Sequence, residues 1–104
     1  SVVTTLSASI PVLQQNVQSY GLDQHLARVR ASEVPVLELE TNPDSSAHAV
    51  LAEAQLAEAQ DAVSAIILGC AGMVQVVDHV DRALKVTTID PVVCAARSMS
   101  WLAA

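Results

Sequence analysis

Residues 62–68, Ala-Val-Ser-Ala-Ile-Ile-Leu, form a run that is nearly all apolar and does not alternate. A strand with one wet face alternates apolar and polar side chains, whereas a strand covered on both faces has no polar side to show. The run therefore predicts an inner strand of a parallel sheet. Parallel neighbours cannot be joined by a tight hairpin and need crossover connections, usually helices. The rest of the chain must then supply helices for both faces of that sheet.

It does so in alternation. Ser1–Thr5 is short and β-branched and predicts a strand. Ser9 is placed to cap a helix with Pro11 in its first turn, and Ile10, Leu13, Val17 and Tyr20 then recur on one helical face before Gly21 stops it. Leu26–Arg30 predicts a second strand, and Val34–Leu39, punctuated by Pro35, a further strand or extended loop. Asn42-Pro43-Asp44-Ser45-Ser46 is turn chemistry and leads into an Ala- and Glu-rich helix from Ala47 to Gln60. In that helix Leu-Ala-Glu-Ala-Gln occurs twice in succession; a five-residue step turns about 140° around the axis, so Leu51 and Leu56 do not share one narrow face. After the central run, Met73, Val76, Val77, Val80 and Leu84 lie at helical spacing and predict core packing. Lys85–Ile89 predicts a fourth strand, and Asp90 with Pro91 opens a last helix towards Trp101. The order β-α-β-α-β-α-β-α predicts a single three-layer α/β domain over residues 1–104, with about four parallel strands and helices on both faces. In such folds a ligand lies beyond the carboxyl ends of the strands.

Charge and composition exclude several functions. Only five Lys or Arg are present and the formal net charge is −6, so there is no basic patch for nucleic acid or an anionic membrane. No apolar stretch reaches the ~20 residues that span a bilayer, and no basic start precedes an apolar stretch as in a secretory signal. With no Phe, one Trp and one Tyr, the core is built from Val, Leu, Ile and Ala. The apolar share of 52% predicts that some surface is hidden against a partner. Two cysteines are too few for a secreted disulfide scaffold and read as free thiols of a cytoplasmic protein.

The stretch Ile66-Ile67-Leu68-Gly69-Cys70-Ala71-Gly72-Met73 carries the strongest chemical signal. It sets a thiol at the carboxyl end of the central strand and at the start of a helix, between glycines that let the backbone turn tightly. Free N–H groups at a helix start attract negative charge, by about 0.3–1 kcal/mol, and so favour a thiolate. A thiol held there can take and give a proton; the plainer reading is a small buried hydrophobe. A Cys-x5-Arg phosphatase loop would need Arg where Val76 stands. His25, His48 and His79 are widely spaced, carry no protease or metal signature, and read as surface residues; Cys70 and Cys94 form no Cys-x-x-Cys pair. Thr5-Leu6-Ser7-Ala8-Ser9 has no Gly, which counts against a flavin phosphate loop.

AIILGCAGM (65–73), an amphipathic helix, and then VTTIDPVVCAA (86–96) resemble the second lobe of a hydantoin racemase, of the aspartate/glutamate racemase superfamily. The opening VVTT, the helix ending YGL (20–22) and RVRASEVPVLELE (28–40) fit the same lobe, so the resemblance covers essentially the whole chain. It implies a flavodoxin-like lobe of a cofactor-independent racemase or epimerase whose substrate lies between two similar lobes, flanked by one cysteine from each. By this resemblance Cys70 is one of the two acid/base residues. Gly69, Ala71 and Gly72 would offer backbone N–H groups to the substrate, and Thr4 and Thr5 would line its pocket. Amino-acid racemases of the superfamily often have Thr-His after this cysteine; Ala71-Gly72 here favours a hydantoin-like or allantoin-like ring.

The resemblance covers one lobe only, so the expected partners are a small-molecule substrate and a first lobe or another copy of the chain. Cys94 falls one turn inside the last helix, where Val-Val-Cys-Ala-Ala reads as core. Asp90 reads as a helix cap, Arg28 and Arg30 as solvated or salt-bridged, and Glu53, Glu58 and Asp61 as the wet side of a helix and its exit. The competing functional reading is a non-enzymatic α/β module that binds a small anion or pairs with itself.

Overall fold

Four short strands pair in parallel in a computed structural model that describes residues 1–102. They are β1 (Val2–Thr4), β2 (Val29–Ala31), β3 (Ala65–Leu68) and β4 (Thr87–Ile89), in the spatial order β2-β1-β3-β4. Val2 pairs with Val29 on one side and Ile67 on the other, and Ile66 pairs with Thr88. The expected α/β fold with about four parallel strands is the fold observed.

The helices are α1 (Ile10–Ser19), α2 (Val36–Thr41), α3 (Pro43–Gln60), α4 (Val77–Ala83) and α5 (Pro91–Leu102). Successive side chains along a strand point to opposite faces, which sorts the layers. Val3, Ile66 and Leu68, all fully buried, join Val50, Ala54 and Ala57 of α3 and Val80 of α4 in one core. Val2 and Ile67 face the other way, towards Val17 of α1 and Leu22 and Leu26 beyond it.

The apolar residues of α3 buried in the core are Ala47, Val50, Ala54 and Ala57; of the repeat's leucines, Leu51 is half-buried and packs against that core, and Leu56 is exposed. Small side chains at helical spacing let α3 lie close to the strands. Its stop is made by Ala62, whose φ of 52° occupies the left-handed position usually given to Gly. That reversal delays β3, which begins at Ala65 and not at Ala62.

Several expectations are corrected. Val34–Leu39 is neither strand nor extended loop, because Pro35 starts α2: it has no N–H for a ladder and its fixed φ suits a helix entry. Val34 and Leu39 are the residues of this segment that enter the core. Pro43 likewise takes the first turn of α3, which begins four residues before the expected Ala47. The second strand is Val29–Ala31, because residues 23–25 form a short 3-10 turn ahead of Leu26. Ser9 stands at the start of α1 with helical dihedrals and no side-chain cap, since a 3-10 turn over Ser7–Ser9 already leads into the helix. Tyr20 is exposed rather than on a buried face.

Asp61 does not belong to a wet exit. Arg30, on the α3 face of β2 and only 4% exposed, holds it by two hydrogen bonds of 2.9 and 2.7 Å. The same guanidinium reaches Glu53 at 3.2 Å and Gln60 at 2.9 Å. This bidentate pairing holds the Asp61 carboxyl down to about 2, against an ordinary 3.8, and raises Arg30 further. Glu58 is also engaged: its carboxylate accepts the N–H groups of Lys85 and Val86 and ties the turn before β4 to α3.

Candidate active site

Strand order fixes where a site can form. The chain leaves β1 for β2 on one side and later returns to place β3 on β1's other side, so the order reverses between β1 and β3. Connections diverge at such a switch point and leave a crevice at the carboxyl ends of the strands. Here that crevice has a volume of about 420 Å³ and is lined by Thr4 and Thr5 after β1 and Gly69 and Cys70 after β3. Ala8, Ser9, Val12 and Leu13 from the entry to α1, with Val36 at the start of α2, complete its wall.

Local chemistry explains the shape of this end of the sheet. The Gly69 N–H donates to the Val3 carbonyl at 2.7 Å, drawing the end of β3 against β1. A Cβ on Gly69 would stand 2.7 Å from Cγ1 of Val2 and 3.4 Å from the Val3 carbonyl oxygen. Glycine is therefore required by close approach, whatever its part in ligand binding. Cys70 follows with extended dihedrals (φ −141°, ψ 132°) and is half-buried. A Cβ on Gly72 would meet Leu39 Cδ1 at 3.1 Å, so Gly72 makes room for Leu39 of α2; the Cys70 Sγ, at 3.6 Å, would be in ordinary contact.

On the other rim, the Thr4 and Thr5 carbonyls accept the N–H groups of Ser32 and Glu33 at 2.9 and 2.7 Å. Ser32 Oγ adds a bond to Thr4 O at 3.0 Å. Glu33 holds a left-handed φ of 61° and its carboxylate accepts the Ser7 N–H, which fixes the turn carrying Ala8 and Ser9 into the crevice. Thr4 and Thr5 are 2% and 5% exposed, so the threonines form a fixed floor and not a mobile loop.

The expected α-helix start after Cys70 is corrected. Ala71–Val76 is a 3-10 helix that runs straight into α4, and the Met73 N–H donates to the Cys70 carbonyl at 3.0 Å. The first N–H groups of such a turn still lack partners inside it, but the long aligned dipole of an α-helix does not start there. Met73, Val76 and Val80 are buried and Val77 packs against them, as their spacing predicts.

Of the residues expected in the site, Thr4, Thr5, Gly69 and Cys70 line one crevice, while Ala71 and Gly72 adjoin it without lining it. Cys94 is not core: it is exposed on α5, which has no buried residue, and lines a separate depression of about 550 Å³ with Thr87–Asp90 and Arg97. α5 touches the Ala71–Val76 segment without burying any of its own residues; Val92, Met99 and Trp101 are exposed. Asp90 caps this helix, accepting the Val92 and Val93 N–H groups at 2.9 and 3.2 Å. His25 lines an apolar notch under α1, and His48 and His79 face each other across α3 and α4 at 5.9 Å between ring centres. Among the described residues no three His, Cys, Asp or Glu side chains gather as a metal site, and no helix is long and apolar enough to cross a membrane.

Sequence reasoning did not find Ala8, Ser9, Val12, Leu13 or Val36. The signal was position: residues just after a strand that borders the switch point face the crevice even when their spacing reads as helix packing.

A family model described as Asp/Glu/hydantoin racemase matches residues 1–99. The hydantoin racemase of Rhizobium meliloti is 41% identical over 97 residues, which are 93% of this chain and 40% of that protein. The crystal structure of allantoin racemase from Pseudomonas fluorescens superposes with a TM-score of 0.87 at 35% identity, over 98% of this chain and 45% of that one. Allantoin racemase from Klebsiella pneumoniae gives 0.91 at 32% identity, over 98% and 42%. The chain thus spans less than half the length of the proteins it matches.

Proposed function

The chain belongs to the Asp/Glu/hydantoin racemase family, and on that footing we propose that it is the Cys70-bearing lobe of a two-lobed, cofactor-independent racemase acting on a hydantoin-type ring. The observation that carries this reading is the meeting of Cys70, Gly69, Thr4 and Thr5 in one crevice at the point where the sheet order reverses.

The chemistry follows from that placement. A hydantoin bears its stereocentre next to a ring carbonyl, so removing the proton from that carbon sends the electron pair onto the carbonyl oxygen. The thiolate Sγ of Cys70 takes the proton from one face, and a second thiol, supplied by the opposite lobe, returns a proton to the other. The sulfur atoms exchange charge states, and the reverse turnover restores them. The Gly69 N–H is spent on the Val3 carbonyl, so of the three expected donors the backbone N–H groups of Ala71 and Gly72 are the ones left for the oxygen on which charge builds. Thr4 and Thr5 border the ring and fix its position relative to Sγ. Cys94 has no part in this step, because it opens onto another depression. Two free thiols suit a reducing compartment, and we place the enzyme in the cytoplasm.

The uncovered apolar side chains of α5, Val92, Met99 and Trp101 among them, give the opposite lobe a surface to cover. That lobe is either another part of a longer chain or a second copy of this one.

In the two-lobed enzyme, Cys70→Ser lowers racemisation of a 5-substituted hydantoin, followed by optical rotation, by about 10²–10⁴-fold. Cys94→Ser leaves the rate near wild type. Undiminished racemisation by the Cys70 variant overturns the assignment.

A further inference from the structure

His48 and His79 stand far apart in the chain, yet the packing of α4 against α3 brings their rings to 5.9 Å between centres, tilted by 45°. Both residues are exposed, and both line a depression of about 300 Å³ with Asp44 of α3 and Gln75 of the 3-10 segment. This depression shares no lining residue with the crevice that holds Cys70. His48 Nδ1 lies 2.8 Å from the Asp44 carbonyl oxygen, one turn earlier in α3. A carbonyl oxygen can only accept, so Nδ1 carries the proton and the neutral ring keeps its lone pair on Nε2. Metal-binding histidines commonly hold their second nitrogen in this way, which fixes the ring and leaves the other nitrogen for the ion.

We propose that His48 and His79 form a two-histidine site for a divalent transition-metal cation of the zinc type, which cross-links α3 to α4. Zinc bonded at about 2.0–2.1 Å to one nitrogen of each ring sets the two ring centres roughly 5–6 Å apart. The observed 5.9 Å falls within that span. Imidazole suits zinc, copper and nickel, whereas magnesium and calcium take oxygen ligands. No third His, Cys, Asp or Glu joins the pair as a ligand among the described residues, so solvent takes the remaining positions. Asp44 lines the same depression, and its carboxylate adds negative charge that favours a cation there. The site lies outside the catalytic crevice and its effect is mechanical. α4 continues directly from Ala71–Val76, the segment that follows Cys70, so a cation held here ties that stretch of chain to the long helix α3.

The test titrates zinc into the complete two-lobed enzyme carrying Cys70→Ser and Cys94→Ser, so that these thiols do not compete for the ion. The imidazole signals are followed by ¹H–¹³C NMR and assigned through His48→Gln and His79→Gln. Both positions are exposed, so each variant is expected to keep the metal-free melting temperature. The two rings are expected to shift together along one saturation curve. Replacing either histidine is expected to weaken zinc binding at the other by about tenfold or more, since even a second-shell partner of a metal is worth about 10–100-fold. Rings that do not respond to zinc, that titrate separately, or that keep their affinity when the partner is replaced overturn the site. Each of those results leaves the racemase reading untouched.

Discussion

Asp61→Asn is the substitution whose cost the structure sets most directly. Arg30 is buried on β2 and spends two of its donors on the Asp61 carboxylate, at 2.9 and 2.7 Å. Ser1 Oγ donates to the same carboxylate at 2.7 Å. Asn keeps the shape but removes the charge, leaving Arg30 with Glu53 alone as a counter-ion. Breaking a buried pair on one side costs about 3–5 kcal/mol, and the surviving Glu53 contact places this case near the lower end. The pH dependence separates charge from shape. The Asp61 carboxyl sits near 2 in the folded state, below its ordinary 3.8. A depressed carboxyl stabilises the fold fully above the unfolded value, and that stabilisation is lost as pH falls towards 2. The displacement corresponds to about 2 kcal/mol. Urea unfolding at a series of pH values from 6 down to about 2 is the assay. Wild type should lose about 2 kcal/mol more than Asp61→Asn between pH 5 and 2, so the two curves converge in acid. Curves that stay parallel would refute the ion pair as the cause.

Three further substitutions probe other parts of the fold. Gly69→Ala puts a methyl 2.7 Å from Cγ1 of Val2 and should destabilise by about 1–3 kcal/mol in urea unfolding; wild-type stability would deny the close approach of β3 to β1. Leu39→Ala empties a site that is 1% exposed, at a cost of about 2–5 kcal/mol, and a loss below 1 kcal/mol would mean that α2 does not anchor in the core. Asp90→Ala removes the acceptor for the Val92 and Val93 N–H groups and should cost about 1 kcal/mol, read as faster amide exchange at those positions. Unchanged exchange would show that the cap does not hold α5.

Much of the architecture was legible because its signals are local. The unalternating run before Gly69 marked an inner parallel strand, and Asp90-Pro91 marked a helix start that the structure keeps. Cys70 could be placed at a strand end because Gly69 and Gly72 bracket it. What stayed hidden depends on distant partners. Val34–Leu39 has β-branched and apolar residues that suit a strand, yet Pro35 and the burial of Leu39 make it a helix. The chain order shows Arg30 and Asp61 far apart and Glu58 on a polar stripe, with nothing to say that β2 and the turn before β4 meet α3 there. Cys94 shows the reverse error. An apolar run reads as core, but burial needs enough to lie against, and the contact of α5 with the Ala71–Val76 segment buries none of its residues. The crevice wall was half legible: Gly69 follows from its strand end and Thr4 and Thr5 from the family resemblance, whereas Val12 and Val36 enter only once α1 and α2 are placed.

The role of Cys70 is tested most directly by hydrogen–deuterium exchange at the substrate's stereocentre in D₂O, followed by NMR for each enantiomer separately, with Cys70→Ala in the two-lobed enzyme. With one thiol gone, the other can still remove a proton and return deuterium on its own face. Racemisation should then disappear while exchange survives for a single enantiomer without inversion. Inversion of both enantiomers at the wild-type rate would contradict the assignment of Cys70 as one of the two proton carriers.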